Sequence, residues 1–473
     1  MLFNSFEFVV FLAAFLLLYG HAPRQARPAL LLAGSYLFYA GWRPSFVLLL
    51  LFTTAVDFIA ARVIDAAPSQ LVRRASLAFA LAINLGLLAA FKYLDFALAG
   101  VIGAVGFFGI EMSSWMLGWV LPVGISFYTF QSIGYTLDVY HRRLPAERNL
   151  LRYATYVAFF PQLVAGPIER AAHLLPQLRA PQPASPDRVR GGLWLIGWGL
   201  FKKMCIADLV APFVAGVYSQ PAAFNGSYTL LATLLFALQI YCDFSGYSDI
   251  AVGVARLLGI DLMINFRQPY FSRSVSEFWR RWHISLSNWL RDHLYRPLGG
   301  SRGGRWQWVR NIFIVFLLSG LWHGAQWTFV AWGLLHAAAM LAEGLWRRAP
   351  VPRGTLASAA GALWTLAVVG IGWVLFRAAS LADAWQVIGS WAAPGPLAYG
   401  AFKALGLGSF ELLLLVLNIG LLLAIDAGLA ACPERLARLA ARSNVALPAA
   451  LALTFHILLF GVFGHVEFVY FQF

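Results

Sequence analysis

The sequence predicts an all-α protein that crosses a membrane many times. Three observations carry that expectation. Of 473 residues, 60% are hydrophobic and only 12% charged, whereas a soluble chain carries about 25% charged residues. Separate apolar stretches approach the ~20 residues that a helix needs to span a bilayer. Between them, basic residues gather in clusters, as they do in cytoplasmic loops.

The apolar runs place spans near 7–20, 28–41, 45–61, 76–91, 100–121, 190–217, 228–241, 308–321, 325–345, 355–377, 411–431 and 447–464. The first stretch, MLFNSFEFVVFLAAFLLLYG, has no basic leader and no small-residue cleavage site. It reads as a retained span and not as a signal peptide. With neither a soluble domain nor a short-period repeat in view, one domain over 1–473 is expected. GISFYTFQSIGYTLDVY (124–140) and FFPQLVAGPIER (159–170) are apolar but broken by Gly and Pro. They fit re-entrant or interfacial pieces, because broken backbone at membrane depth needs a cover of protein or water.

Orientation follows from the basic residues. Arg24 and Arg27, then Arg62, Arg73 and Arg74, then Lys202–Lys203, the run Arg267 to Arg310, Arg347, Arg348 and Arg353, and Arg435, Arg438 and Arg442 form clusters. Placed inside, they put both termini outside. The net charge of +14 comes mostly from this bias, although a site for an anionic substrate would add to it. Three cysteines without CxxC spacing suggest neither a disulfide framework nor a zinc site. The nine histidines show no HxxxH or HExxH spacing, so no metal is implied.

The most informative stretch is SGLWHGAQWTFVAWGLLHA (319–337). From Asn311 to Ala342 there is no Asp, Glu, Lys or Arg, yet His323 and His336 lie inside. An ionisable group at membrane depth is costly and marks function by default. With Arg310 at the cytoplasmic end, Leu321 is roughly 16 Å up the helix, about halfway through a layer of roughly 30 Å. Ser319-Gly320 and Gly324 mark a break there. His323, braced by Trp322 and Trp327, is thus expected at a deep turning point. The competing reading is a buried His satisfied by a backbone carbonyl. His336 is expected on another face, with a structural role.

The stretch SVSEFWRRWHISLSNWLRDHLYRPLGG (274–300) opens on a capping-box pattern, Ser274 to Glu277. It predicts one interfacial helix over about 277–296, with Arg280, His283 and Ser287 on one face. Its arginines fit either an anchor to anionic lipid or the mouth of a pocket for a phosphorylated donor, since guanidinium forks suit phosphate. Arg280, Arg281, Arg291, Arg296, Arg302 and Arg305 are the candidates. In YCDFSGYSDIAVGVARLLGI (241–260), Asp243 and Asp249 are expected to face the protein interior, Asp249 with a structural partner such as Arg256 or another helix.

FFPQLVAGPIER, QIYCDFSGYSDIAVGVARLLGI, INFRQPYFSRSVSEFWRRWHISLSNWLRDHLYRPLGG, SGLWHGAQWTFVAWGLLHA, GWVLFRA (372–378) and FVYFQF (468–473) together resemble the membrane-bound O-acyltransferase family. Within it they resemble the alginate O-acetyltransferase (AlgI-like) branch, to which DltB is related. The core motif region is 121–378; the first hundred residues match only in hydropathy. The resemblance implies a ring of tilted helices around a thinned centre with a tunnel. It places the family's intramembrane His on His323 and a second, upstream polar residue on His283. It also implies acetyl transfer from a cytoplasmic thioester, either acetyl-CoA or an acyl carrier protein, towards an extracytoplasmic polysaccharide such as alginate. An SGNH-type partner would complete the transfer in the bacterial inner membrane. No tightly bound cofactor is implied. Lipid, glycan and these proteins are the expected partners, and nucleic acid is not.

His323 would act as general base, a role worth roughly 10²–10⁴-fold, and a buried imidazole is biased towards the neutral form that a base needs. A transient acyl-imidazole is the second chemistry. His283 would orient or polarise the thioester, Arg280, Arg281, Arg291, Arg302 and Arg305 would hold the donor, and Trp322, Trp327, Asp243, Asp249 and Ser287 would line or brace the tunnel. The alternatives are D-alanyl transfer of the DltB type from a carrier protein, and a non-catalytic transporter or export subunit. A transporter would be expected to show two related halves, and no such repeat is visible.

Overall fold

A computed structural model describes residues 1–108, 117–181, 185–346, 355–432, 434, 443–464 and 466–471. The clusters Arg347, Arg348, Arg353 and Arg435, Arg438, Arg442 lie outside the described residues, as do Gln472 and Phe473 of the terminal motif. Among the described residues the regular structure is helical throughout. Contacts group the chain into two compact units, 1–192 with 254–263, and 193–253 with 264–473.

The first unit contains α1 (Phe6–His21), α2 (Arg27–Ala40), α3 (Ser45–Ala66), α4 (Gln70–Lys92), α5 (Leu94–Phe107), α6 (Ile125–Tyr140), α7 (Leu150–Ala158), α8 (Phe160–Leu163) and α9 (Ala171–Arg179). The stretch 124–140 is one helix, α6, buried along nearly its whole length. It starts at Gly124, whose φ of 76° and backbone contact would resist a side chain; a Cβ there would lie 2.5 Å from the Leu163 oxygen. The irregular segment 159–170 is buried as well, so protein covers its broken backbone, as expected for such segments in a membrane protein. Asp57 of α3 is also buried and accepts from Asn84 Nδ2 of α4 at 2.8 Å.

The second unit is built from α10 (Pro186–Leu200), a π-helical segment Phe201–Ala207, α11 (Asp208–Ser219), α12 (Gly226–Leu257), α13 (Val275–Arg281), α14 (Ile284–Leu290), α15 (Arg305–His323), α16 (Trp327–Trp346), α17 (Thr355–Arg377), α18 (Leu381–Ser390), α19 (Tyr399–Ala404), α20 (Ser409–Ala431) and α21 (Ser443–Phe460). Helices α10 and α12 begin or end within the first unit. Helices α15 and α16 form an antiparallel hairpin. A Cβ on Gly333 would sit 2.5 Å from the Phe316 oxygen, and one on Gly320 would collide with the Phe329 oxygen. The two backbones therefore touch, and only glycine fits at these crossings.

Among the described residues, six helices are long and apolar enough to cross a membrane: Ser45–Ala66, Gln70–Lys92, Gly226–Leu257, Trp327–Leu345, Ser358–Arg377 and Ser409–Ala431. On α20, Leu413, Val416, Leu417 and Leu421 are exposed, a surface suited to lipid. Several of the apolar runs expected as spans form shorter helices, such as Phe6–His21 and Leu94–Phe107. The first buries Phe8, Phe11, Phe15 and Tyr19, whereas the second buries none of its residues.

Lys202 and Lys203, expected as part of a cytoplasmic flank, are instead buried. Lys202 pairs with Asp249 at 2.6 Å and donates to Ser245 Oγ at 2.8 Å. Lys203, only 1% exposed, lies 2.7 Å from both Asp208 and Asp243. Asp249 therefore finds Lys202, and Arg256 turns to Asp261 at 3.7 Å. The other Asp243 oxygen accepts the Val469 N–H at 2.6 Å, and Lys203 Nζ donates to the Val466 carbonyl at 3.4 Å. Val462 N–H completes the attachment by donating to Met204 O at 3.0 Å. The C-terminal segment is thus tied to the π-helical turn and α12. Removing one partner of a buried ion pair leaves a charge uncompensated at a cost of about 3–5 kcal/mol. Lys203→Met is accordingly expected to lower stability by about that amount, read as loss of folded protein in detergent-solubilised thermal unfolding. At the hairpin, overpacking costs about 1–3 kcal/mol, so Gly320→Ala should lower the same unfolding temperature without changing any charge.

Candidate functional site

The site is assembled in the second unit around His323, the last residue of α15. The helix stops because Gly324 is extended, with φ −162° and ψ 154°, and α16 then returns. The turning point expected from the sequence is therefore a helix end inside an apolar hairpin. His323 is 5% exposed and enclosed by rings. Its centroid lies 4.9 Å from Trp322, 5.1 Å from Trp332, 5.2 Å from Phe376 and 5.6 Å from Tyr470.

Two of these neighbours differ from expectation. Trp327 is 63% exposed and does not brace the imidazole; Trp332, one and a half turns further along α16, takes that place. Tyr470 comes from the terminal segment that Lys203 and Asp243 hold. Its hydroxyl finds no hydrogen-bond partner among the described residues, and its ring also meets Phe244 at 4.5 Å. The motif FVYFQF signalled this residue, but nothing in the sequence pointed it at His323.

His283 reaches the same aromatic cluster by a different route. Ser274 Oγ caps α13 by accepting the Glu277 N–H at 3.0 Å, as the capping pattern predicts. Glu277 Oε2 accepts from Arg273 N at 2.9 Å. The helix ends at Arg281, however, and does not run on to 296. Trp282 is extended and His283 is left-handed, with φ 42° and ψ 54°. The cause is a distant segment. Arg267 N–H donates to Arg281 O at 2.9 Å, and Ile284 N–H donates to Asn265 O at 3.0 Å. The backbone groups that would continue the helix are taken by 265–267. The expected common face of Arg280, His283 and Ser287 is lost with the helix. Arg280 is exposed, His283 is 1% exposed, and Ser287 Oγ donates to Trp282 O at 3.4 Å.

The His283 ring meets Phe244 at 4.7 Å and Trp322 at 5.9 Å. Trp322 thus contacts both imidazoles. Burial pushes the His283 imidazole down to about 3, so it is neutral at any physiological pH. His336 stands behind Trp332, 4.7 Å from its centroid, and against Trp279 at 5.0 Å. It is one ring removed from His323 because the hairpin folds α16 back beside α15, which helical phase alone did not reveal.

The donor-binding candidates divide by partner. Arg281 pairs with Glu277 at 2.6 Å, Arg291 with Asp292 at 2.9 Å and Arg296 with Asp292 at 3.0 Å. Arg280, Arg302 and Arg305 are exposed and pair with no carboxylate among the described residues. Asp243 and Asp249 are held by the two lysines, away from this surface.

The profile of the membrane-bound O-acyltransferase family matches residues 142–378, a range that contains His283, His323, Trp332 and Phe376. The chain is 40% identical over 391 residues to the "Probable alginate O-acetylase AlgI" of Azotobacter vinelandii, covering 82% of this chain and 77% of that protein. It is 34% identical over 404 residues to the peptidoglycan O-acetyltransferase of Helicobacter pylori, covering 79% and 75%. A more distant relative is the teichoic acid D-alanyltransferase of Bacillus subtilis, 29% identical over 232 residues and covering 46% and 58%. The buried histidines, the apolar helices and these likenesses agree, and the chain belongs to the membrane-bound O-acyltransferase family as a multi-pass membrane O-acyltransferase of the AlgI-like kind.

Proposed function

We propose that this O-acyltransferase passes an acetyl group from a cytoplasmic thioester towards an extracytoplasmic polysaccharide, and that His323 is the general base. The observation that carries the reading is the placing of His323: a buried imidazole at a helix end, ringed by Trp322, Trp332, Phe376 and Tyr470. Four aromatic rings around the imidazole limit the access of water, which would otherwise hydrolyse an activated acyl group. The base takes the proton of the incoming hydroxyl, the oxygen attacks the thioester carbonyl, and the thiol leaves. An acyl-imidazole at His323 is the second route through the same residue. His283, which shares Trp322 with His323, would orient or polarise the thioester carbonyl.

The relatives named for alginate and peptidoglycan O-acetylation support a polysaccharide acceptor, with alginate or a similar exopolysaccharide as the working choice. Acetyl-CoA or an acyl carrier protein would be the donor. An SGNH-type partner would finish the transfer outside a bacterial inner membrane, with both termini extracytoplasmic. The likeness to a teichoic acid D-alanyltransferase supports D-alanyl transfer as the second reading.

His323→Ala is expected to abolish glycan acetylation while the protein still inserts and accumulates, a loss of at least roughly 10²-fold. Near-normal acetyl content would remove His323 from the chemistry. His283→Ala should lower acetylation strongly, and His336→Ala should do less than either. On the donor side, a lipid anchor reads mainly charge density, whereas a phosphate site needs particular guanidinium forks. Arg302→Lys and Arg305→Lys keep the charge, so a raised apparent donor KM in reconstituted membranes supports donor binding. Unchanged kinetics in both variants would favour lipid anchoring.

A further inference from the structure

We propose that Asn265 is a positioning residue for His283, and that its side-chain oxygen holds the neutral ring in the Nδ1–H form with the lone pair on Nε2. The inference rests on the reading of His283 as a group that orients the acyl donor. A bare Nε2 can only accept a hydrogen bond, as from an amide N–H of the donor, so it keeps the orienting role and excludes polarising the carbonyl, which needs an N–H. Asn265 is buried, and its polar atoms engage His283 and the first two residues of α14. Its backbone oxygen accepts the Ile284 N–H at 3.0 Å. Its Oδ1 accepts the Ser285 N–H at 3.2 Å and the Ser285 hydroxyl at 3.0 Å, and lies 3.2 Å from His283 Nδ1. Nδ2 donates to Ser248 Oγ of α12 at 3.4 Å.

This network decides two assignments that geometry alone leaves open. The Ser285 N–H can only donate, so the amide atom facing it is the oxygen and not the nitrogen. An oxygen can only accept, so His283 Nδ1 must carry its hydrogen to bond there. In a neutral imidazole the other nitrogen then holds the lone pair. The same atom that accepts the Ser285 N–H at the start of α14 thus sets the tautomer of the residue at the break. His283 is left-handed, a conformation that is strained for a residue with a Cβ and that clusters at functional sites. The hydrogen bonds to Asn265 hold it there.

The charge environment makes the inference testable. Phe244 from α12, Trp322 from α15 and Asn265 meet the imidazole, and none of the three ionises. Asn265→Asp is nearly isosteric and keeps the acceptor for the Ser285 N–H, while Ser248 Oγ can donate to its second oxygen. It places a carboxylate on Nδ1–H, and an opposite charge favours protonated His. The folded-state pKa of His283 then rises, so the neutral ring is present above the new value and is lost as pH falls through it.

The first measurement is solid-state NMR of full-length protein, labelled with ¹⁵N-histidine, in lipid bilayers. The His283 signals are assigned by their absence in His283→Gln. The expected wild-type spectrum has a protonated Nδ1 and a bare Nε2. Asn265→Leu should mix or reverse the two, and Asn265→Asp should protonate both nitrogens at mildly acidic pH. A protonated Nε2 with bare Nδ1 in the wild type would overturn the proposal, as would an unchanged tautomer in folded Asn265→Leu. The second measurement is glycan acetylation by membranes between pH 5 and pH 9, expressed as the ratio of Asn265→Asp to wild type. That ratio should fall by about tenfold for each pH unit below the raised pKa, with protein abundance unchanged. A ratio independent of pH, with both nitrogens protonated, would overturn the positioning role. If instead His283→Ala acetylates normally, the role of His283 itself is lost, while the tautomer result stands or falls separately.

Discussion

The arrangement around His323 depends first on the contact between the backbones of α15 and α16. Gly320 and Gly333 allow the two helices to touch at the Phe329 and Phe316 carbonyls. That approach folds Trp332 of α16 back beside His323 of α15. With any larger residue at these crossings the hairpin opens, and the ring that encloses the imidazole on one side moves away. The other sides of the cage come from Phe376 at the end of α17 and from Tyr470 in the terminal segment. A buried imidazole is costly to charge, and four aromatic rings enclose this one.

The terminal segment depends in turn on charge. Lys203 sits between Asp208 and Asp243, and Asp243 also accepts from Val469. The π-helical turn Phe201–Ala207 presents Lys202 and Lys203 to different carboxylates of α11 and α12, and such turns are frequent at functional sites. These buried ion pairs add little net stability. Their consequence is geometric, because they fix the one piece of chain that carries Tyr470 to His323. Asn265 plays a comparable part for His283, holding the start of α14 and pinning the ring that precedes it.

Local features of this architecture were legible in the sequence and long-range ones were not. The all-α class follows from composition. The start of α13 follows from Ser274 and Glu277, and the end of α15 follows from Ser319, Gly320 and Gly324 within an uncharged run. Each of these depends on residues within a few positions of one another. The break at His283 depends on hydrogen bonds from residues 265–267, so the periodicity of 277–296 suggested an unbroken helix. Lys202 and Lys203 read as a flank because Asp243 and Asp249, on another helix, are distant in sequence, and Asp208 alone does not signal burial. Trp327 was preferred to Trp332 because proximity in sequence stood in for proximity in space. Phe376 and Tyr470 were inside quoted motifs, but only the fold brings them to the imidazole.

The central claim is that acyl transfer takes place in the aromatic cage around His323. The most direct measurement is photo-cross-linking with a thioester donor whose acyl chain carries a small diazirine, using full-length protein in lipid vesicles, followed by mass-spectrometric mapping of the labelled residues. The account predicts donor-competed labels on Trp322, Trp332, Phe376 or Tyr470. Donor-competed labels found only on segments remote from these four residues would contradict it.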